Sequence, residues 1–291
     1  MALTPLDDRD GVIWMDGELV PWREARIHVL THSLHYGGAA FEGERAYNGK
    51  IFKMVEHHER LLRSCKLLDY ECPHGVEELN RAANDVIAAN KLVNAYVRPI
   101  VWRGSDNLGV SAKGIRLHCA VAAWEWPAYY SDEAKRLGIK LVTSSWVRPA
   151  PNSAPCASKA SGLYMICTMS RDAAGKAGAD DALMHDYRGQ LAEATGANLF
   201  LVLDGELHTP APDCFLNGIT RLTVIDLARK LGVKVVERAM WPDELEKASE
   251  FFVTGTAVEV TPVGLVDQRR FEVGPITRQL MRDYQDLVNA R

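Results

Sequence analysis

The chain has 291 residues, of which 47% are hydrophobic and 25% charged, with a formal net charge of -4 at pH 7. These values are typical of a soluble globular protein long enough for two domains, and they give no electrostatic reason to expect nucleic acid or an anionic membrane as partner. The acidic start "MALTPLDDRDG" lacks the basic and apolar regions of a signal peptide, so we expect a cytoplasmic protein.

Hairpins are predicted in both halves of the chain. Asp16-Gly17 and Asp204-Gly205 each lie between two short apolar runs, which is the strongest short-range hairpin signal. The segment "DYRG", residues 186–189, predicts a third hairpin turn. Antiparallel strands are therefore expected in both halves.

Helices are predicted between these hairpins from apolar spacing. The apolar stripes of three helices are Leu61, Cys65 and Leu68; Leu79, Ala82 and Val86; and Ile276, Leu280, Tyr284 and Leu287. Two more helices are predicted, one just after Lys159 and one from a threonine cap at Thr220 to Gly232. Hairpins mixed with helices indicate an α+β fold with antiparallel-rich sheets rather than an alternating parallel-sheet fold.

The aromatic and proline cluster in "WPAYYSDEAKRLG" predicts the domain boundary. We place a smaller N-terminal α+β domain at residues 1–126, a linker at 127–135 and a larger C-terminal domain at 136–291.

No metal site is expected. The six cysteines are scattered without zinc-ligand spacing and are predicted to be reduced thiols. His32 and His35 lack a carboxylate-rich partner segment, so both are predicted to form hydrogen bonds within a loop.

Two charged residues with small neighbours are candidates for a chemical role. Lys159, in "ASKASGLY", has no charged residue within five positions. It is either a surface lysine at a helix start or a desolvated amine with a lowered pKa, able to act as a nucleophile. Glu193, between small residues in "QLAEATGANLFLV", is either an edge glutamate or a carboxylate that keeps a pyridine nitrogen protonated.

Two further segments could bind an anion. In "NGITRL", residues 217–222, a glycine precedes a helix whose first amides, at Ile219 and Thr220, would face the anion. In "TGTAVEVTP", residues 254–262, two threonines flank a glycine at a strand end. An ordinary capped helix and an ordinary turn would have the same sequences.

The order of these segments resembles the fold type IV family of pyridoxal-phosphate enzymes: the lysine, then glutamate with "GANLF", then "GITR", then "TGTA". The segments "HSLHYGGAAFEGERAY", "HHERLLRSCKLL", "AYVRPIVWRGSDNLGV" and "WEWPAYY" are similar to those of the branched-chain aminotransferases within that family. The resemblance spans residues 12–288 and implies a homo-oligomer, dimer or hexamer, whose C-terminal domain binds pyridoxal 5'-phosphate. The implied reaction moves the amino group of L-leucine, L-isoleucine or L-valine to 2-oxoglutarate by a ping-pong route.

The resemblance also implies residue roles. Lys159 is the Schiff-base lysine and proton shuttle. The implied cofactor-binding residues are Arg60, Tyr164, Glu193, Gly218, Ile219, Thr220, Gly255 and Thr256. The implied substrate-binding residues are Tyr36, Phe41, Gly43, Tyr96, Arg98, Trp126, Tyr129 and Ala257, with Tyr36 reaching across a dimer interface.

Two segments depart from the family pattern. Asn217 stands where family members often carry proline, which changes the stiffness of the loop more than its chemistry. The loop with Arg103, Ser105 and Asp106 lies near where substrate specificity is decided, which leaves the preferred amino donor open.

Other functions are compatible with the same fold. One alternative is another fold type IV enzyme, such as a D-amino acid or (R)-amine transaminase or an aminodeoxychorismate lyase. Tyr96 with Arg98 in "YVRP" favours the branched-chain group. A second alternative is a non-catalytic ligand-binding relative, which the joint presence of Lys159, Glu193 and Arg60 disfavours.

Overall fold

The computed structural model describes residues 5–127 and 129–290, which form two compact units. Unit 1 consists of the described residues up to 127 together with residues 158–162, and unit 2 of residues 129–157 and 163–290. Among these described residues, no helix is both long and apolar enough to cross a membrane.

Unit 1 is built on a seven-stranded sheet in which every pairing is antiparallel, in the order β2-β1-β7-β6-β4-β5 with β3 beside β6. Its strands are β1 (Val12–Met15), β2 (Glu18–Pro21), β3 (Ala40–Phe41), β4 (Glu44–Tyr47), β5 (Lys50–Ile51), β6 (Ala95–Arg103) and β7 (Leu117–Glu125). Its helices are α1 (His32–Tyr36), α2 (Met54–Leu67) and α3 (Val76–Ala89). The predicted turn at Asp16-Gly17 is confirmed, since it joins β1 to β2 with Met15 opposite Glu18.

The core of unit 1 lies between one face of this sheet and helices α2 and α3. The predicted apolar stripes are confirmed: Leu61 and Cys65 on α2 are fully buried with Leu79 and Val86 on α3. Val97 of β6 belongs to the same cluster. Because side chains alternate between the faces of a strand, the residues next to Val97 point to the opposite face.

Unit 2 is built on a nine-stranded sheet in the order β10-β9-β8-β15-β14-β11-β12-β13, with β16 beside β15. Its strands are β8 (Ile139–Thr143), β9 (Asp181–His185), β10 (Leu191–Ala194), β11 (Asn198–Leu203), β12 (Glu206–Pro210), β13 (Val235–Arg238), β14 (Glu250–Gly255), β15 (Glu259–Val266) and β16 (Arg269–Arg270). Its helices are α4 (Asp132–Leu137), α5 (Met165–Lys176), α6 (Ile219–Lys230) and α7 (Pro275–Asn289). Short 3-10 helices span Trp22–Glu24, Ser161–Tyr164 and Pro242–Glu246.

The sheet of unit 2 is mixed. The two predicted hairpins are confirmed, since β9 pairs with β10 and β11 with β12 in antiparallel fashion. Three pairings are parallel: β8 with β9, β8 with β15 and β12 with β13. The predicted excess of antiparallel strands therefore holds, with a parallel minority that hairpin signals do not detect.

Several local predictions are corrected by the structure. Helix α6 begins at Ile219 with Gly218 as its N-cap, so Thr220 is not the cap. On α7 the buried stripe is Thr277, Leu280, Tyr284 and Val288, while Leu287 is exposed. Both choices satisfy helical spacing, and packing selects the second.

The histidine pair lies on the short helix α1 rather than in a loop, but its predicted hydrogen bonding is confirmed. Nε2 of His32 lies 3.1 Å from the Gly109 carbonyl oxygen, and Nε2 of His35 lies 2.9 Å from that of Val29. The predicted linker also contains regular structure, because α4 begins at Asp132, where Ser131 Oγ accepts a hydrogen bond from the Ala134 amide.

Candidate active site

The segment that carries Lys159 belongs to unit 1, although the sequence assigned it to the second domain. Ala160 forms an antiparallel bridge with Ala40, and the carbonyl of Lys159 accepts a hydrogen bond of 3.1 Å from the Phe41 amide. The Lys159 amide in turn donates to Ser64 Oγ at 3.0 Å. This short segment is thus fixed to β3 and α2 by backbone hydrogen bonds, which hold the lysine in one place.

The amine of Lys159 lies in a buried environment with charged residues of both signs nearby. It sits 4.9 Å from the centroid of the Phe41 ring. Burial lowers the pKa of the amine, Glu42 opposes this shift and Arg60 adds to it. Of the two possibilities that the sequence left open, the geometry favours the desolvated amine over the surface lysine.

Arg60 is buried on α2 and is held by Glu42. Its Nε donates to Glu42 Oε1 at 2.7 Å and its Nη2 donates to Oε2 at 2.8 Å. His57 Nδ1 lies 2.7 Å from the same Oε2. Burial disfavours the ionised carboxylate, but Arg60 and His57 outweigh it and hold the pKa of Glu42 well below its usual range. Arg60 therefore has a fixed orientation and a fixed charge.

Glu42 is a residue that the sequence analysis missed. It lies between the two singled-out residues Phe41 and Gly43, and strand alternation directs it to the opposite face. On that face Glu44 is also buried, with Oε1 3.0 Å from Nε2 of His58. The alternation of Glu42 and Glu44 with Phe41 and Gly43 was visible in the sequence, but the packing of the predicted helix α2 on this face was not.

Five of the predicted substrate-binding residues come together in unit 1 on the side of Lys159. Arg98 Nη2 donates to the hydroxyl of Tyr96 at 3.1 Å, and its guanidinium lies 4.7 Å from the centroid of the Phe41 ring. The Tyr96 and Trp126 rings have centroids 4.7 Å apart. A Cβ at Gly43 would collide with the Tyr96 hydroxyl, so this position requires glycine. The result is an aromatic wall with one embedded arginine.

The other two aromatic residues make different contacts. Tyr36 lies at the end of α1, where its hydroxyl donates to the Leu108 carbonyl at 2.9 Å and its ring lies 4.6 Å from that of His32. Tyr129 belongs to unit 2, with its ring 4.8 Å from that of Tyr130. Each of the two tyrosines thus packs against a ring of its own unit.

In unit 2, Glu193 on β10 is buried and held at both carboxylate oxygens. Arg148 Nε lies 3.2 Å from Oε1, and Asn198 Nδ2 lies 3.4 Å from Oε2. Burial disfavours the charge of Arg148, but Glu193 raises its pKa, with smaller contributions from Cys167 and Tyr164. Two charged residues in a dry setting stabilise each other, so Glu193 is a buried and oriented carboxylate rather than an edge glutamate.

The predicted anion segment at residues 217–222 lies beside this carboxylate. Asn198, directly across from Glu193 in the β10–β11 pairing, accepts a 3.1 Å hydrogen bond from the Gly218 amide through Oδ1. Helix α6 starts at the next residue, and its first turn presents the amides of Ile219 and Thr220 with the positive end of the helix dipole.

The second predicted anion segment reaches the same end of the sheet. Gly255 closes β14, and a Cβ there would approach the Gly196 carbonyl at 3.2 Å and Ala197 Cβ at 3.5 Å. Thr256 and Ala257 follow in the turn to β15. Tyr164, the N-cap of α5, lies near enough to Arg148 to influence its pKa. Glu193, Gly218, Gly255 and Tyr164 thus each lie near Arg148, Asn198 or the turn between β10 and β11.

Asp186, Asp213 and Cys214 form a cluster of potential metal ligands in the described part of unit 2. A cation from the chain already contacts it, because Arg188 Nε donates to Asp186 Oδ2 at 2.7 Å and Nη2 donates to Asp213 Oδ1 at 3.0 Å. Its geometry is explained by these ion pairs.

Proteins of similar sequence define the family of this chain. The amino-transferase class IV family matches residues 39–266. The branched-chain-amino-acid aminotransferase of Pseudomonas aeruginosa is 43% identical over 98% of this chain and 95% of that protein. That of Escherichia coli strain K12 is 38% identical over 96% of this chain and 93% of that protein. The chain belongs to the class IV aminotransferases and, within them, to the branched-chain-amino-acid aminotransferase family.

Solved structures support the same assignment. The T.th. branched-chain amino acid aminotransferase with pyridoxamine 5'-phosphate superimposes with a TM-score of 0.94, at 41% identity over 97% of this chain and 95% of that chain. The Escherichia coli enzyme gives a TM-score of 0.93, at 37% identity over 96% and 95% of the two chains. The predicted fold type IV α+β architecture is confirmed.

The residues present fit pyridoxal 5'-phosphate, the cofactor of this family. An amine whose pKa is lowered by burial suits bond formation with an aldehyde. A buried carboxylate paired with an arginine, such as Glu193, suits a protonated ring nitrogen. Buried Arg60 and the amides at the start of α6 suit a phosphate.

Proposed function

We propose that the chain transfers the amino group of L-leucine, L-isoleucine or L-valine to 2-oxoglutarate with pyridoxal 5'-phosphate as cofactor. The observation that carries this proposal is the single arginine within an aromatic wall. Arg98 lies against Phe41 and donates to Tyr96, on the same side as the Lys159 amine. One site of this kind has apolar surface for a branched side chain and a cation for the γ-carboxylate of glutamate.

The cofactor is held by residues of distinct chemistry. Arg60 would bind the phosphate, as would the amides of Ile219 and Thr220 together with Thr256. Glu193 would bind the ring nitrogen, and the Tyr164 hydroxyl would bind the phenolic oxygen. When bound, the cofactor supplies an electron-withdrawing ring that stabilises negative charge at the substrate Cα.

Lys159 performs the remaining steps. Its amine would hold the cofactor aldehyde, and when free it would carry the proton at the substrate Cα. A lowered pKa supports this role, because an amine that releases its proton more readily can accept one from the substrate and return it. Nucleophile and proton carrier are then one group.

The substrate is oriented from two ends. Phe41, Tyr96 and Trp126 exclude water around the side chain, and Arg98 binds a side-chain carboxylate when glutamate or 2-oxoglutarate is present. The backbone amides of Thr256 and Ala257 bind the α-carboxylate. Alternating occupation of one pocket by the two substrates supports a ping-pong sequence of half-reactions.

The test is a donor panel with both enantiomers of leucine, isoleucine and valine, with D-alanine and an (R)-amine, against 2-oxoglutarate. Activity with the L-branched donors and parallel double-reciprocal lines would support the proposal. Activity confined to D-amino acids or (R)-amines would establish the alternative fold type IV function. Cofactor binding without turnover of any donor would indicate a non-catalytic relative.

We further propose a homo-oligomer, at least a dimer, in which Tyr36 completes the site of a neighbouring subunit. Its half-exposed ring at the end of α1 supports this role. Light scattering gives the mass, and a monomer with full activity would contradict the proposal.

A further inference from the structure

We infer that Asn198 is a positioning residue. It holds the carboxylate of Glu193 and the loop before α6 in fixed positions relative to each other. This inference rests on the proposed function, in which the Glu193 carboxylate binds the ring nitrogen of the cofactor and the loop before α6 leads into the phosphate site. Asn198 itself touches neither the reacting atoms nor the substrate.

The geometry concentrates three contacts on one side-chain amide. Nδ2 lies 3.4 Å from Glu193 Oε2 and donates to the Leu216 carbonyl at 3.0 Å. Oδ1 accepts from the Gly218 amide at 3.1 Å. Asn198 is 5% exposed, so these contacts are made with little competition from water.

The loop packs directly on this amide. A Cβ at Gly218 would collide with Asn198 Oδ1, so only glycine allows the backbone to approach so closely. Because the Gly218 amide donates to Asn198 Oδ1, this amide is already hydrogen-bonded within the chain. The anion-binding capacity of the first turn then begins at Ile219, the first residue of α6.

The strand framework fixes Asn198 in turn. It is the first residue of β11, opposite Glu193 on β10 and opposite Thr254 on β14. A shift of its side chain would therefore move the carboxylate and the loop together, since both are bound to the same planar amide.

The site needs a donor towards Glu193 and an acceptor for the Gly218 amide. A side-chain amide provides both, because its nitrogen donates and its oxygen accepts. Asn198→Asp keeps an acceptor for the Gly218 amide but loses the donor to the Leu216 carbonyl and places a second carboxylate beside Glu193. Asn198→Ala removes all three contacts. The two variants should consequently differ in which part of the cofactor they fail to hold.

The test measures the affinity of the full-length chain, freed of cofactor, for pyridoxal 5'-phosphate, for pyridoxal without the phosphate, and for a deaza analogue without the ring nitrogen. The phosphate ratio is the affinity for pyridoxal 5'-phosphate divided by that for pyridoxal, and it reports the phosphate contacts. The nitrogen ratio is the affinity for pyridoxal 5'-phosphate divided by that for the deaza analogue, and it reports the contact with the ring nitrogen. Thr209→Val serves as the matched control. It removes a buried hydroxyl on β12 that donates to the carbonyl of Leu199, the residue after Asn198 on β11. The same hydroxyl accepts a hydrogen bond from Arg221 Nε.

In Asn198→Ala we expect both affinity ratios to shrink by at least about fivefold, the value of one hydrogen bond each. In Asn198→Asp we expect the nitrogen ratio to shrink more than the phosphate ratio, because the bond to the Gly218 amide is kept. Thr209→Val should leave both ratios as in the wild type. Unchanged ratios in Asn198→Ala, or a change in one ratio only, would overturn the inference. If the alanine variant does not fold, the near-isosteric aspartate variant decides, and an unchanged nitrogen ratio there would overturn it. A wild-type chain that binds none of the three compounds would instead refute the proposed function.

Discussion

Glu42 and Arg60 form a two-point ion pair inside unit 1, with both nitrogen-to-oxygen distances below 3 Å, at 2.7 and 2.8 Å, and with the carboxylate fully buried. The pair lies between the strand that carries Phe41 and the helix that carries Arg60. A fixed guanidinium is a better anion ligand than a mobile one, because it loses less side-chain entropy on binding.

Glu42→Gln should therefore weaken both the fold and the phosphate site. Removing one partner of a buried ion pair costs about 3–5 kcal/mol in the free energy of unfolding. Arg60 would also lose its orientation, so affinity should fall more for pyridoxal 5'-phosphate than for pyridoxal. Glu44→Gln is the matched control, since Glu44 is equally buried but pairs with His58. Equal effects of the two variants on the affinity ratio would contradict this account.

Acid should destabilise the wild type more steeply than Glu42→Gln. The pKa of Glu42 in the folded chain is below its ordinary value of 4.5, so the unfolded chain binds a proton first as pH falls. The stabilising contribution is present above that ordinary value and is lost as pH falls towards the folded pKa. The loss amounts to as much as about 1.4 kcal/mol per pH unit. Urea unfolding at several values between about pH 5 and about pH 3 measures the two slopes. Parallel slopes would show that Glu42 does not carry the effect.

Gly43→Ala should impair catalysis through Tyr96. The added methyl group would collide with the tyrosine hydroxyl and displace it from Arg98. A displacement of about 1 Å near a reacting centre can lower kcat/KM by up to about 100-fold. Gly75→Ala is the control, because no heavy atom lies within 4 Å of a Cβ there. Kinetics with L-leucine would measure the difference, and an unchanged kcat/KM in Gly43→Ala would mean that Tyr96 does not line the site.

Arg98→Met should separate the two substrates. It removes the cation proposed for the side-chain carboxylate but keeps the apolar contact with Phe41. We expect KM for L-glutamate and 2-oxoglutarate to rise by about 10- to 100-fold, with a smaller change for L-leucine. Tyr96→Phe should have a weaker effect in the same direction, since it removes only the hydroxyl. A larger loss for L-leucine than for L-glutamate would reject the assignment of Arg98.

The sequence predicted the elements that depend on local pattern. Turns such as Asp16-Gly17 require positive φ at both residues, 50° and 106°, and their composition reveals it. Apolar stripes likewise identified α2 and α3. The choice between Leu287 and Val288 on α7 could not be made, because both lie close to the same stripe and the sheet decides which is covered.

The candidate site was predictable to the extent that its residues resemble a family. Glu42, Arg148 and Asn198 were missed because their roles depend on partners that only the fold supplies. Arg148 lies shortly after the strand β8 and looks like any polar position, yet it meets Glu193, a carboxylate far along the chain. Such pairs arise from sheet order, which local spacing does not encode.

The most direct measurement is the absorbance spectrum of the purified protein, recorded before and after addition of L-leucine and again after 2-oxoglutarate. We predict a yellow band that bleaches with L-leucine and returns with 2-oxoglutarate, and that is missing from Lys159→Ala. A band that L-leucine leaves unchanged, or full turnover by Lys159→Ala, would contradict the account.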